Sequence, residues 1–328
     1  MFNTIGMNIR NKSYLLIITA FILGAGLGFL LFDYRYSPTS VKEQRAGGYK
    51  LINPLYDIET EEGAKEFSSL EKKIVDYTND SISEDQVDRV SLYFKDLNNG
   101  PWFGINEKAN FSPASLLKVP VMISYFKKAE KDPSILEKKV KLETNIYQDV
   151  APITKPTNPI EIGKEYRIED LIEKMIIESD NNALGLLKDN IRQEDIDKVS
   201  RDLEVPTSRS LNDFMSVKDY SSFFRVLYND SYLDTKYSEK ALSILTRTEF
   251  KEGIKKSLPS NIVVANKFGE RHIEGEAKYQ LHNCGLVYYP NRPYLLCIMS
   301  EGKNYSLLEK IIQDISKIVY EDYNRIAQ

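Results

Sequence analysis

The order of hydrophobic patterns predicts an α/β fold of the α+β sandwich kind. An antiparallel five-stranded sheet is assembled from both ends of the chain and flanked by helices, with an all-helical lobe inserted between its two groups of strands. Three observations carry this reading. Two strand patterns come early, across residues 89–105. Three more come late, at 261–268, 279–289 and 294–300. Between the groups, helical periodicity dominates. Two lobes of this kind leave a cleft between them, the natural place for a ligand site.

The elements follow in chain order. Phe67, Leu70, Ile74 and Tyr77 fall on one face of a helix that begins near Glu61. Val90, Leu92 and Phe94 alternate with Ser91, Tyr93 and Lys95, the pattern of a half-buried strand. Asn98-Asn99-Gly100 is a turn signal, and the partner strand resumes at "PWFGI". Pro113 stands where a helix can begin, and Val119, Val121, Met122 and Tyr125 give that helix an apolar face. A loop rich in proline (Pro152, Pro156, Pro159) precedes Ile168, Leu171, Ile172, Met175 and Ile176, whose spacing is helical. That helix stops at "SDNN", and "ALGLL" starts the next. Shorter helical patterns fill 193–203, 216–228 and 238–247. Leu307, Leu308, Ile311, Ile312, Ile315 and Val319 predict a long amphipathic helix at the end.

The late strands include a hairpin, "QLHNCGLVYYPNRPYLLCIMS", with its turn at Pro290 to Pro293. Centring the turn on Asn291-Arg292 pairs Leu286 with Cys297 and Cys284 with Met299. The two cysteines then sit diagonally, a poor geometry for a bridge, and are expected as buried thiols.

At the other end, Leu15 to Phe32 is an uncharged run of 18 residues. At 1.5 Å per residue it spans about 27 Å, close to the thickness of a hydrocarbon core. It predicts a retained transmembrane anchor at 15–32. Residues 1–14 then form a cytoplasmic tail, 33–60 a linker, and 61–328 a domain outside the cell membrane, a single-pass arrangement. A cleaved signal peptide is the rival reading, against which stand the length of the run and the lack of an A-x-A site.

Composition narrows the function. With 42% hydrophobic and 28% charged residues the chain is an ordinary globular protein. A net charge of −4 with no Lys/Arg block gives no nucleic-acid stripe. Only two histidines, His272 and His282, are present, which leaves few bases for a Ser-His-Asp triad and little room for a multi-histidine metal site. Neither a metal nor an organic cofactor is implied, and a monomer is expected.

The chemistry concentrates in three short motifs. Ser-x-x-Lys occurs at Ser69, Ser115, Ser124 and Ser300, so the pattern alone says little. Only Ser115 stands at a helix start beneath a loop, where free N–H groups and the helix dipole favour a developing anion. The spacing puts Lys118 on the same face as the Ser115 hydroxyl, and a buried lysine can lose its proton near neutral pH and act as a base. Ser179-Asp180-Asn181 lies at a break between helices, and Lys267-Phe268-Gly269 ends a strand. Singly these are a helix cap and a strand end. In this order they match the S-x-x-K, S-D-N, K-T-G set.

On those motifs, and on the flanking stretches "RVSLYFKDLNNGPWFGINEKANFSPASLLKVPVM", "RIEDLIEKMIIESDNNA" and "LPSNIVVANKFGE", the chain over 61–328 resembles the class A β-lactamases and the related penicillin-binding D,D-peptidases. The resemblance implies Ser115 as the acylated nucleophile, Lys118 as its base, and Ser179 as proton donor to the leaving nitrogen. Asn181 would bind the substrate's amide side chain, and Lys267 would supply positive potential. The backbone N–H groups of Ser115 and of Glu270, just past Gly269, would form the oxyanion hole.

Two departures qualify it. The family's deacylating glutamate belongs to an E-x-x-L-N loop. Aligning Leu211-Asn212 puts Ser208 in its place, with Glu204 the nearest carboxylate. Phe268 replaces a hydroxyl that, in the family, binds the substrate carboxylate, and the family's assisting arginine has no clear equivalent, Arg271 being one unplaced candidate. The implied function is an extracytoplasmic serine hydrolase that forms an acyl-enzyme with a β-lactam or an acyl-D-amino acid amide from peptidoglycan and deacylates slowly. A D,D-carboxypeptidase of cell-wall metabolism and a non-catalytic binding module are the alternatives.

Overall fold

Five strands rich in β-branched and aromatic residues form the central sheet: β1 (Val87–Asp96), β2 (Trp102–Ile105), β3 (Val264–Ile273), β4 (Lys278–Val287) and β5 (Tyr294–Gly302). In this computed structural model they run antiparallel in the order β2-β1-β5-β4-β3, so strands from the two ends of the chain meet at β1 and β5. The structure describes residues 19, 20, 22, 24, 43–45, 49–58, 64–83, 87–98, 101–146, 152–209, 213–273 and 275–326.

Two apolar cores sit on the two faces of the sheet. On one face, α1 (Ala64–Ser83) and the C-terminal helix cover Phe94, Leu281, Leu296 and Ile298. They do so with the stripes read from the sequence, Phe67, Leu70 and Ile74 from α1 and Leu308, Ile311, Ile312, Ile315 and Val319 from the C-terminal helix. Phe94 and Phe103, cross-strand partners in the first hairpin, stack at 5.1 Å. On the opposite face lies the helical lobe: α2 (Lys118–Ala129), α3 (Ile168–Ile177), α4 (Asn181–Asp189), α5 (Gln193–Asp202), α6 (Val217–Tyr228) and α7 (Thr235–Leu245). The C-terminal helix, α8, spans Tyr305–Ile326. Each of its fully buried isoleucines contributes about 1.5–3 kcal/mol relative to exposure.

Three expectations are corrected. Strand β1 is not half-buried: Ser91 and Tyr93 are buried along with Val90, Leu92 and Phe94. Both faces of the sheet are covered, so a polar–apolar alternation marks which core a side chain enters, not which side meets water. The late hairpin is shifted by two residues from the predicted register. Val287 pairs with Tyr294 and Cys284 lies directly opposite Cys297, joined to it by a disulfide. The connection is longer than a two-residue turn: Tyr289 and Arg292 take part in tight turns of their own, and Asn291 adopts φ 60°.

Part of the linker expected at 33–60 is docked. Leu51 and Ile52 are buried in the helical-lobe core, and Glu239 Oε1 accepts from both of their N–H groups at 2.9 and 3.2 Å. Tyr288 donates to the Leu51 carbonyl at 2.9 Å, and residues 43–45 pair antiparallel with 55–58. A short apolar pair carries no periodicity, so its docking is not visible in the sequence. The apolar run at 15–32 lies outside the described residues except for 19, 20, 22 and 24, which are helical. Among the described residues no helix is long and apolar enough to cross a membrane.

Candidate active site

The nucleophile candidate is built on a short 3-10 turn, Ala114–Leu117, that feeds directly into α2. Ala114 enters it at φ 48°, a left-handed conformation that costs a non-glycine residue on the order of 1–3 kcal/mol and is found where surrounding structure enforces it. Here His282 Nε2 is 2.9 Å from the Ser112 carbonyl and the Tyr220 hydroxyl donates to the Leu116 carbonyl at 3.1 Å. Strand β3 packs against the same turn at Gly269. A Cβ there would come within 2.9 Å of the Pro113 carbonyl oxygen and 3.1 Å of the Leu116 nitrogen, so glycine is required by the close approach.

The second motif sits between α3 and α4. Asp180 caps α4, accepting from Ala183 N at 3.1 Å, and also accepts from Ile160 N at 2.8 Å. Ser179 adopts φ 59°, which turns both its carbonyl and its hydroxyl toward α2.

These pieces converge on one amine. Lys118 Nζ, at 0% exposure, lies 2.9 Å from Ser115 Oγ, 2.6 Å from the Ser179 carbonyl, 2.9 Å from Ser179 Oγ and 2.7 Å from Asn181 Oδ1. Lys267 Nζ reaches Ser179 Oγ from the other side at 3.0 Å and donates to the Phe268 carbonyl at 3.1 Å. The result is a continuous chain from Ser115 through Lys118 and Ser179 to Lys267. Burial pulls Lys118 down to about 7, against the opposing pull of the Asp180 and Glu270 charges. Burial, reinforced by Lys118, holds Lys267 well below the ordinary lysine range, again opposed by Glu270. A neutral Lys118 has two N–H groups, which the Ser179 carbonyl and Asn181 Oδ1 can only accept, and its lone pair then faces the hydroxyls.

The remaining candidates fall around this cluster. Glu270 follows Gly269 on β3, and Arg271 is half-buried on the same strand. Glu204 is exposed beyond the end of α5 at φ 55°, and the carboxylates felt at Lys118 are Asp180 and Glu270, not Glu204. Ser208 is buried, and its Oγ has no hydrogen-bond partner among the described residues. Leu211 and Asn212, which set its alignment, lie outside them. Phe268 is 3% exposed and stacks on Phe250 at 4.2 Å. Of the two histidines, His272 is exposed on β3, while His282 is buried under the nucleophile turn and depressed by burial to about 4. Among the described residues no group of three or more His, Cys, Asp or Glu could hold a metal ion.

Sequence reasoning missed the supports. His282 and Tyr220 brace the nucleophile turn, and the Glu270 side chain reaches outside its own strand. No local pattern marks such contacts, because their partners lie 170 residues away for His282 and 104 for Tyr220.

A family model described as the beta-lactamase enzyme family matches residues 70–323. The chain belongs to that family. Its members are serine β-lactamase-like proteins, and the five-stranded sheet with its helical lobe is their fold. Similar solved structures include a leucine-to-glutamate variant of PBP-A in an acyl-enzyme complex with penicillin G. It shares 18% identity and a TM-score of 0.66, over 79% of this chain and 97% of that one. A class A β-lactamase from Mycobacterium abscessus shares 18% identity and a TM-score of 0.66, over 76% and 99%. A β-lactamase from Chitinophaga pinensis shares 17% and 0.67, over 77% and 100%. At these identities the likeness is one of fold. No curated protein matches the chain.

Proposed function

We propose that this beta-lactamase-family chain is an acyl-serine hydrolase whose adduct is long-lived. Ser115 Oγ attacks the carbonyl of a β-lactam or of an acyl-D-amino acid amide and gives its proton to Lys118 Nζ. The proton passes by way of Ser179 Oγ to the leaving nitrogen as the C–N bond breaks. Lys267 holds Ser179 in position. The N–H groups of Ser115 and Glu270 receive the oxyanion, and Asn181, with Oδ1 occupied by Lys118, offers its NH2 to the substrate. Water must then cleave the ester. The loop that should hold the activating base carries Ser208 instead, and Glu204 faces solvent. The single supporting observation is the meeting of Ser115, Lys118, Ser179, Asn181 and Lys267, drawn from three separate parts of the chain, within 3.0 Å contacts.

The test is a time course of intact mass on the full chain with penicillin G. The expected result is a single penicilloyl adduct that persists for minutes or longer and is lost in Ser115→Ala. Continuous product release with no adduct held for more than a second would refute the slow-deacylation reading. No adduct under any condition would refute the acyl-serine reading itself.

The uncharged run at 15–32 supports placement at the outer face of a membrane. The full chain is expected to sediment with membranes and to be released by detergent but not by alkaline carbonate; release by carbonate alone would count against an integral span.

A further inference from the structure

The acyl-serine reading leaves open what the site tolerates next to the bond it cleaves. Strand β3, at the edge of the sheet, packs against the turn that carries Ser115 at Gly269, so its residues 267–270 lie beside the nucleophile. A site meant for a carboxylate needs accessible ammonium or guanidinium groups, or hydroxyl and N–H donors, at that place. The side chains found there do not supply them.

Lys267 is fully buried, and its amine is already engaged with Ser179 Oγ at 3.0 Å and the Phe268 carbonyl at 3.1 Å. Its Nζ lies 4.2 Å from the centroid of the Phe268 ring. Phe268 offers no donor and is fixed by its stack on Phe250. Arg271 is half-buried and has an interaction of its own.

The next residue adds a carboxylate. Glu270 accepts from Thr154 N at 2.6 Å and Thr154 Oγ1 at 2.8 Å, and from the Tyr305 hydroxyl at 2.6 Å. Thr154 belongs to the loop leading into α3 of the helical lobe, and Tyr305 opens α8. The side chain therefore ties the two lobes together and fixes a carboxylate beside the turn. Its charge is felt at both Lys118 and Lys267. A second carboxylate brought to the same place comes up against that acid, and a like-charge juxtaposition in a partly dry site is strongly unfavourable.

We infer that the site selects acyl donors that are uncharged beside the scissile bond, such as an ester, an amide or a continuing peptide chain, over those with a free carboxylate there, because Glu270 fixes a carboxylate beside the turn, the buried Phe268 supplies no donor and Lys267 is turned inward. This rests on the acyl-serine reading and names the substrate class for it.

The probes are penicillin G and its methyl ester, which differ only in that carboxylate. Second-order constants for adduct formation on Ser115 of the full chain are measured by intact mass, and each is divided by the compound's own rate of ring opening by hydroxide. The expected normalised ratio favours the ester by about tenfold. Glu270→Gln, which keeps the side chain's size and one acceptor oxygen for Thr154 N, is expected to bring the ratio down at least threefold. Phe268→Thr is expected to move it the same way by restoring a hydroxyl donor. A wild-type ratio favouring the free acid would overturn this inference while leaving the acyl-serine reading intact. So would a ratio unmoved by both substitutions. Adduct formation with neither compound would instead defeat the acyl-serine reading, and this inference with it.

Discussion

Replacing Lys118 with alanine is expected to slow acylation of Ser115 by about 10³-fold, or roughly 4 kcal/mol of barrier. The amine is the only base within hydrogen-bond reach of Ser115 Oγ among the described contacts, at 2.9 Å, and it also aligns Ser179 and Asn181. A loss of packing alone could slow the reaction too, so the decisive readout is pH. Burial sets Lys118 at about 7. The base form exists above that value, and the wild-type acylation constant is therefore expected to rise with pH through a midpoint near 7 and then level. Lys118→Ala should retain neither the limb nor the midpoint. A wild-type profile flat from pH 5.5 to 8.5 would remove Lys118 from the role of base. The same shift has a stability consequence of defined sign. The folded chain holds the amine neutral where the unfolded chain protonates it. The folded state therefore gains stability as pH rises from about 7 toward the free-lysine range, and loses it on the way down. Thermal denaturation in that window should show a smaller pH slope in Lys118→Met than in wild type.

Ser208→Glu is expected to shorten the life of the penicilloyl adduct by about 10²-fold, the lower end of what a positioned general base contributes. Ser208 is buried and its Oγ lacks a partner among the described residues, so a polar group at this position is not already committed elsewhere. Glu204, the carboxylate nearest in sequence, points to solvent and is not among the charges felt at Lys118. Ser208→Gln is the control, with equal size and no basic oxygen. Intact-mass decay after removal of free penicillin reads the lifetime directly. If the Glu and Gln variants decay at the same rate as wild type while acylating normally, then the missing glutamate is not what limits deacylation.

Much of the architecture is legible in the sequence. The helical stripe from Leu308 to Val319, the Phe67-Leu70-Ile74 face and the paired strands around Phe94 all come from residue spacing, and each is buried where the spacing put it. The three motifs were legible because each is local and each sits on a distinctive backbone feature: a helix start, a helix break and a strand edge. The registers and long-range partners were not. Cys284 faces Cys297 because of how many residues the hairpin loop consumes, a property of turn geometry with only a weak sequence signal.

What the sequence determined by itself is the order of the elements, the presence of Ser115, Lys118, Ser179, Asn181 and Lys267, and the lack of a glutamate at Ser208. These depend on residue identity and on periodicities only a few positions long. What the tertiary structure alone decided is that Lys118 is fully buried with its amine pulled down to about 7, that Lys267 is turned inward against Phe268, that Glu270 bridges the two lobes, and that Leu51 and Ile52 dock on the helical core. Desolvation and charge depend on every group within several ångströms, and for this chain those groups come from residues separated by dozens to hundreds of positions.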